Sequence, residues 1–289
     1  VFIRERLIAI NSSEYSFFLK KLLIRFSESI TELVYHKADA IISVNKFNMT
    51  WEKMYGANPD KLEVIYNGVD HTLFTPMAKP ERTKNVPTVV AAARIFELKD
   101  IFTMIRSCAV AKRSIPNVQF LVYGDNDAVP EYTKQCNRLI EELDLKENFK
   151  LAGFHSKPHE LFCEGDISIL TSISEGFPYT VIESMSCGIP VVATDVGGVS
   201  EALDASTGFI CKPKDFEEIG SRVVELLQNE ELRAQMGRNA REKVIEHFTI
   251  DKFIKGYEFA YDRIIAEKEQ KSAHPIFIQM DAQEAQEAS

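Results

Sequence analysis

"DISILTSISEGFPYTVIES", residues 166–184, places an apolar run, a turn and a helical pattern end to end. The run "DISILT" is short and rich in β-branched residues, the signature of a buried strand. "EGFP" supplies a turn, and Pro178 stands like the first residue of a helix, where its missing N–H costs nothing. A buried strand that ends in a tight turn and feeds a helix is where open α/β sheets hold their ligands. Glu175 and Glu183, which flank the turn, are therefore candidate site residues. Their meaning depends on the sheet around them.

From residue 85 onward, short apolar runs alternate with amphipathic segments. Strands are expected at 86–93, 118–124, 149–153, 166–171, 190–195 and 208–211, with helical patterns such as "DIFTMIRSCAVAKRS" and "PEYTKQCNRLIEELDL" between them. Continuous apolar strands separated by helices of this length predict a parallel sheet covered on both faces. Residues 85–250 thus read as one complete doubly wound, Rossmann-like domain, with helices near 215–228 and 230–246, and 251–269 as a carboxyl-terminal helix. The first 84 residues have βαβ grammar with only two strands: a long helix (13–38), a strand (39–44), a helix (45–57) and a strand (61–69). Two strands are too few for an independent sheet. The segment reads as the end of a second Rossmann-like domain plus a linker, and Val1 in place of an initiator Met is what a chain cut inside a domain would show. Residues 270–289 are polar, acidic and poor in core residues, and are expected to be disordered.

Composition excludes several classes. The net charge of −9, from 34 basic and 43 acidic residues, is a poor match to nucleic acid as a partner. No run is long and apolar enough to span a membrane. The helix containing "FFLKKLLIRF" has Lys20, Lys21 and Arg25 for a lipid surface, but Glu14, Glu28 and Glu32 offset them, so it reads as a core-facing helix with its charges in water. Five scattered cysteines with no C-x-x-C pair read as reduced thiols of the cytoplasm.

The site chemistry follows from the turn. A helix beginning at Pro178 would aim the unpaired N–H groups of Thr180 and Val181 at the cleft, a ready anion site. Gly176 lets a phosphate or sugar approach the backbone. Thr180 and Glu183 are i and i+3, on one helix face, and a carboxylate one turn below phosphates suits a ribose diol. Glu175, before the helix, is placed for sugar hydroxyls. "AARIFELKD" supplies Arg94 and Lys99 just beyond the strand 86–93, the former to grip two phosphate oxygens and the latter as a point charge. These readings converge on a nucleoside diphosphate sugar lying across the helix start.

Glu175-x7-Glu183, Arg94-x4-Lys99, "NGVD" (67–70) and "GIPVVATDVGG" (188–198) together resemble glycosyltransferase family 4, retaining enzymes of α/β GT-B fold. The likeness runs from about residue 1 to 265. It implies that Arg94 and Lys99 bind the diphosphate and that Glu183 binds the ribose. It also implies that Glu175 acts on the sugar with the backbone of Gly176, Phe177, Pro178, Thr180 and Val181, and that no metal is needed. "RER" (4–6), "LKDIFTMIR" (98–106), "EYTKQCNRLIEEL" (131–143) and "LTSISEGFPYTVIESM" (170–185) are similar to the branch that builds the Pel exopolysaccharide. That branch implies UDP-glucose as donor, a glycan acceptor, a cytosolic enzyme and peripheral association with a membrane polysaccharide-export complex. Two departures stand out. Ala93 replaces the Gly usual before the phosphate-binding Arg, and no His matches the one that family members carry in the acceptor domain.

Other motifs offer rival chemistry. "GDND" (124–127) mimics a metal-binding D-x-D, but it follows a strand of a parallel sheet, where loop acids are common. His155 and His159 have i, i+4 spacing, with Pro158 between them and no third ligand. "VGGVSEA" (196–202) fits either a phosphate cradle or a plain strand–helix turn. The functional expectation is hexosyl transfer to a growing polysaccharide. The alternatives are a module that binds a nucleotide sugar without turning it over, and a GT-B relative such as a sugar epimerase or a phosphorylase.

Overall fold

The structure, a computed structural model, describes residues 17–81 and 83–273. The tail expected to be disordered lies almost wholly outside them. A first unit contains α1 (Phe17–Lys37), β1 (Ile41–Ser43), α2 (Lys46–Met54) and β2 (Leu62–Val64), with β1 and β2 paired in parallel. Both strands are shorter than the sequence patterns that announced them. After Ile65, whose N–H still reaches Ser43 O, the chain leaves the ladder so that Val69 can pair with Phe248 and Ile250 instead.

The second unit runs β3 (Thr88–Ala92), α3 (Ile101–Ser114), β4 (Gln119–Tyr123), α4 (Pro130–Glu142), β5 (Phe149–Gly153), α5 (Pro158–Phe162) and β6 (Ile167–Leu170). It continues through α6 (Tyr179–Ser186), β7 (Val191–Thr194), α7 (Val199–Ala202), β8 (Gly208–Cys211), α8 (Phe216–Gln228) and α9 (Glu230–His247). All six strands expected here are present. They form one parallel sheet in the order β5-β4-β3-β6-β7-β8.

Period-2 alternation sorts the strand residues between two layers. Val89, Ala91, Phe120, Val122 and Ile167 face α3, α4 and α8, where Met104, Ile105 and Val223 pack on them. Val90, Leu121, Leu170 and Ala193 face α5, α6 and α9, meeting Phe162, Met185 and Val244. Because both faces are covered, the strands read as unbroken apolar runs rather than as alternating ones. All five cysteines are free and buried among these layers.

The last helix, α10 (Ile250–Ala273), returns to the first unit. Arg263 Nη2 lies 2.8 Å from Glu63 Oε1, and Lys268 Nζ lies 2.6 Å from Asp39 Oδ2. The core-facing expectation for α1 fails. Leu22, Phe26 and Leu33 are 55%, 65% and 59% exposed; among the described residues, the core beside the two-stranded sheet is small, made by Ile41, Ala57 and Leu62 with their neighbours. No helix among the described residues is long and apolar enough to cross a membrane.

One close approach holds the carboxyl end of this sheet. A Cβ on Gly124, just after β4, would stand 1.9 Å from Ala93 O, a backbone atom that cannot swing aside. Gly124→Ala should therefore lower the unfolding free energy by about 2–3 kcal/mol, the upper range for overpacking. Urea titration would read this as a fall in midpoint at unchanged slope. An unchanged midpoint would mean that the β3 and β4 loops are not packed this closely.

Candidate active site

The strand order has one reversal. From β3 the sheet grows outward through β4 and β5; the chain then crosses back and grows the other way through β6, β7 and β8. The loops leaving β3 and β6 therefore part in opposite directions and leave a crevice at their carboxyl ends, the switch-point position where such folds bind ligands. Arg94 and Lys99 lie on the first loop, and the 171–178 turn lies on the second.

The two loops are tied at the floor of the crevice. Thr171 Oγ1 donates to the carbonyls of Lys99 (2.9 Å) and Asp100 (3.0 Å), and Ile173 N donates to Leu98 O. Asp100 adopts a left-handed conformation (φ 45°) and caps α3 through Thr103. Short acids tolerate that region because their side chains bond locally. This geometry turns Lys99 toward the second loop. Its Nζ lies 2.5 Å from Glu175 Oε1, and the same oxygen accepts from Ser172 Oγ at 2.6 Å. Both members of the pair are largely withdrawn from water, at 19% and 11% side-chain exposure. Arg94 differs: it is exposed, its guanidinium sits 4.9 Å from the Phe96 ring centre, and among the described residues it has no carboxylate partner.

The helix start corrects several readings. Pro178 is the residue before α6 (φ −75°, ψ 117°) rather than its first member. Val181 N already donates to Pro178 O (3.2 Å), and its side chain is buried, so Val181 offers the cleft neither group. Among the described residues, the N–H groups of Tyr179 and Thr180 take no acceptor and remain the open donors of the helix start. Phe177 turns its ring inward, 5.0 Å from Tyr66 and 5.2 Å from Phe248 by centroid. Its carbonyl accepts from Asn67 Nδ2 at 2.8 Å. Phe177 and the buried Pro178 thus shape the loop and present no side chain to the crevice. Glu183 is half-buried on α6, and burial raises its carboxyl to about 7.

The Gly-Gly turn after β7 resolves as packing. Gly197 (φ 58°) lies so close beneath Glu175 that a Cβ would stand 2.0 Å from the Glu175 carbonyl. Gly198 N donates to Gly176 O at 2.7 Å, so that N–H is not available to a phosphate. Asp125 and Asp127 of "GDND" form a local turn, with Asp127 N donating to Asp125 Oδ1 at 2.8 Å. His155 precedes α5, so it and His159 do not share a helix face. Among the described residues, no group of three His, Cys, Asp or Glu side chains could hold a metal. Ser172 and Thr171 escaped sequence reasoning, their one signal being polarity at a strand end, which is common to many loops; Asn67 was noted only as part of "NGVD", without the bond to Phe177 O.

The six-stranded sheet and its switch-point crevice make a complete Rossmann-like domain of the α/β GT-B architecture. Residues 75–243 match the family Glycosyl transferases group 1, and residues 1–60 match a domain of unknown function, DUF3492. The first match takes in more than half of the chain, which therefore belongs to the group 1 glycosyl transferases. The chain is similar to N-acetyl-alpha-D-glucosaminyl L-malate synthase of Bacillus anthracis (26% identity over 247 residues, 83% of this chain and 61% of the relative). It is also similar to trehalose synthase of Thermococcus litoralis (28% over 247 residues, 82% and 58%). Among solved structures, Anabaena HepE in complex with UDP-glucose superposes with a TM-score of 0.76 at 22% identity, over 82% of this chain and 68% of that one. The chain spans about 60% of the length of the curated relatives it matches.

Glu183 makes folding pH-dependent in a definite direction. Its carboxyl rises from 4.5 to about 7 on folding, so between those values the folded chain holds the proton that the unfolded chain has lost. Raising pH through that window should lower stability, and Glu183→Gln should remove this part of the slope. Urea midpoints of both proteins at pH 5 and pH 8 test it; parallel slopes would show that Glu183 is not desolvated.

Proposed function

We propose that this chain carries the donor side of a retaining glycosyltransferase that moves a hexosyl group from a nucleoside diphosphate sugar to a growing exopolysaccharide. The observation that supports this most is the meeting, at one switch-point crevice, of an unpaired Arg94, the Lys99–Glu175 pair and the start of α6. Three sources of positive potential converge where a departing diphosphate would gather charge, the arrangement that lowers such a barrier most. In this reading Arg94 grips the phosphates, Lys99 exchanges its carboxylate partner for a phosphate oxygen, and the Tyr179 and Thr180 N–H groups bind the oxygens nearest the helix. Glu183 accepts the ribose hydroxyls. Glu175, released from Lys99, orients the sugar while the acceptor attacks from the face that the nucleotide leaves.

UDP-glucose is the proposed donor, on the likeness to the Pel branch, and HepE shows that a related fold holds UDP-glucose. The same likeness proposes a glycan acceptor, a cytoplasmic site of action, peripheral association with an export complex, and chemistry without a metal. Residues 1–84 are proposed as part of the acceptor-side domain with its linker, and 85–250 as the donor domain. A module that holds the donor without turning it over is the second reading, and the two part at the assay.

Calorimetric titration with UDP and UDP-glucose tests the site. Arg94→Ala and Lys99→Ala should each weaken UDP binding by about 1.5–3 kcal/mol, the scale of a hydrogen bond to a charged group. Glu175→Gln should leave UDP affinity equal or higher, since it frees Lys99, while the gain that the sugar adds to binding is lost. EDTA should change neither. Binding without hydrolysis or transfer of UDP-glucose selects the second reading, and parent-like UDP affinity in both cation variants would reject the site.

A further inference from the structure

The junction between the two units is made by a carboxylate that the proposed transfer chemistry does not use. Glu201 lies on α7, immediately after the Gly197–Gly198 turn. Its Oε2 accepts from Lys46 N and from Tyr66 Oη, both at 2.9 Å, and its Oε1 accepts from Phe47 N at 3.0 Å. Lys46 and Phe47 open α2, so the carboxylate sits on the positive end of a helix of the first unit and satisfies two of its orphan donors. Burial and the bond to Glu201 raise the Tyr66 hydroxyl to about 12, so it stays protonated and donates.

The other side of this device is the donor loop. Gly198, three residues before Glu201, donates to Gly176 O, and Gly197 lies against Glu175 O with no room for a side chain. The Tyr66 ring also packs at a tilt against Phe177, and its neighbour Asn67 donates to Phe177 O. Asn45, fully buried and capping α2, abuts Gly198 closely, and among the described residues its Nδ2 finds no partner. A junction that leaves a buried donor unsatisfied must be held by its other bonds, and Glu201 makes three of them.

We propose that Glu201 is a positioning residue that locks the first unit onto the Gly-Gly turn, so that the geometry of the Glu175–Phe177 donor loop depends on how the two units are seated. Donor loop and first unit share one rigid support. Movement of the first unit is felt at Gly176 and Phe177, and occupancy of the loop is felt at the start of α2. The consequence for transfer rests on the functional reading above; the mechanical coupling does not.

Hydrogen exchange on the full chain tests the coupling directly. In Glu201→Ala, the Lys46 and Phe47 amides should exchange about tenfold faster or more, with the Gly198 amide accelerated as well. Amides of α3 and α8, remote from the junction, should be unchanged. Tyr66→Phe should give a smaller effect of the same pattern, and Glu201→Gln, which keeps one acceptor oxygen, an intermediate one. Unchanged exchange at Lys46 and Phe47 in Glu201→Ala would overturn the lock, whatever the protein binds. With UDP present, the parent should gain protection at these amides and Glu201→Ala should not. If UDP binds the parent without altering them, the coupling to the donor loop is wrong. If UDP does not bind at all, the functional reading fails while the first measurement still judges the lock. In a transfer or hydrolysis assay, Glu201→Ala should lower kcat about tenfold or more with little change in KM for the donor, a split expected when a binding group is kept but misplaced. A rise in KM at constant kcat would instead make Glu201 a plain support for donor binding and overturn the positioning role.

Discussion

A parallel sheet that reverses its direction of growth between β3 and β6 cannot close the gap between the loops leaving those two strands. Everything at the crevice follows from that constraint. Thr171 bridges the gap at its base by holding the Lys99 and Asp100 carbonyls, and above that tie the loops diverge. Lys99 comes to meet Glu175 because a half-buried ammonium without a counter-charge would be costly. The pair therefore holds both groups in place at the mouth of the crevice.

The turn at 171–178 is shaped mostly from behind. Phe177 packs with Tyr66 and Phe248 in an aromatic cluster drawn from the first unit, the loop and the end of α9. Such contacts add about 0.5–1.5 kcal/mol per pair beyond burial. The backbone of the loop is then held at Gly176 O by Gly198 and at Phe177 O by Asn67. Among the described residues Asn45 Nδ2 has no partner at this junction, where Glu201 makes three bonds across the two units. Rigidity of the loop is thus a property of both units, although every residue of the loop belongs to the second.

Burial works differently on the two glutamates of the motif. Glu175 has Lys99 and Ser172 beside it, while Glu183 has no charged partner on α6 and is pushed up to about 7. The desolvation that raises Glu183 also lowers stability as pH rises.

The local pattern of residues determined a great deal on its own. Six apolar runs became six strands, and the Pro178 turn became a helix start at a strand's carboxyl end, because strand and helix periodicities are local properties of the chain. Arg94, Lys99, Glu175 and Glu183 were legible for the same reason, since the order of strand, turn and helix places them at one edge of the sheet. What the sequence could not show was which groups were already occupied. Val181 N–H bonds to Pro178, the Phe177 ring turns inward, Gly198 holds Gly176, and Lys99 holds Glu175. Nor could it show that Glu201, 155 residues from Lys46, would cap a helix of the other unit. Those partners are brought together by sheet order and by the seating of two units. A hydrogen bond depends on a few tenths of an ångström, and only the packed tertiary structure sets distances that finely.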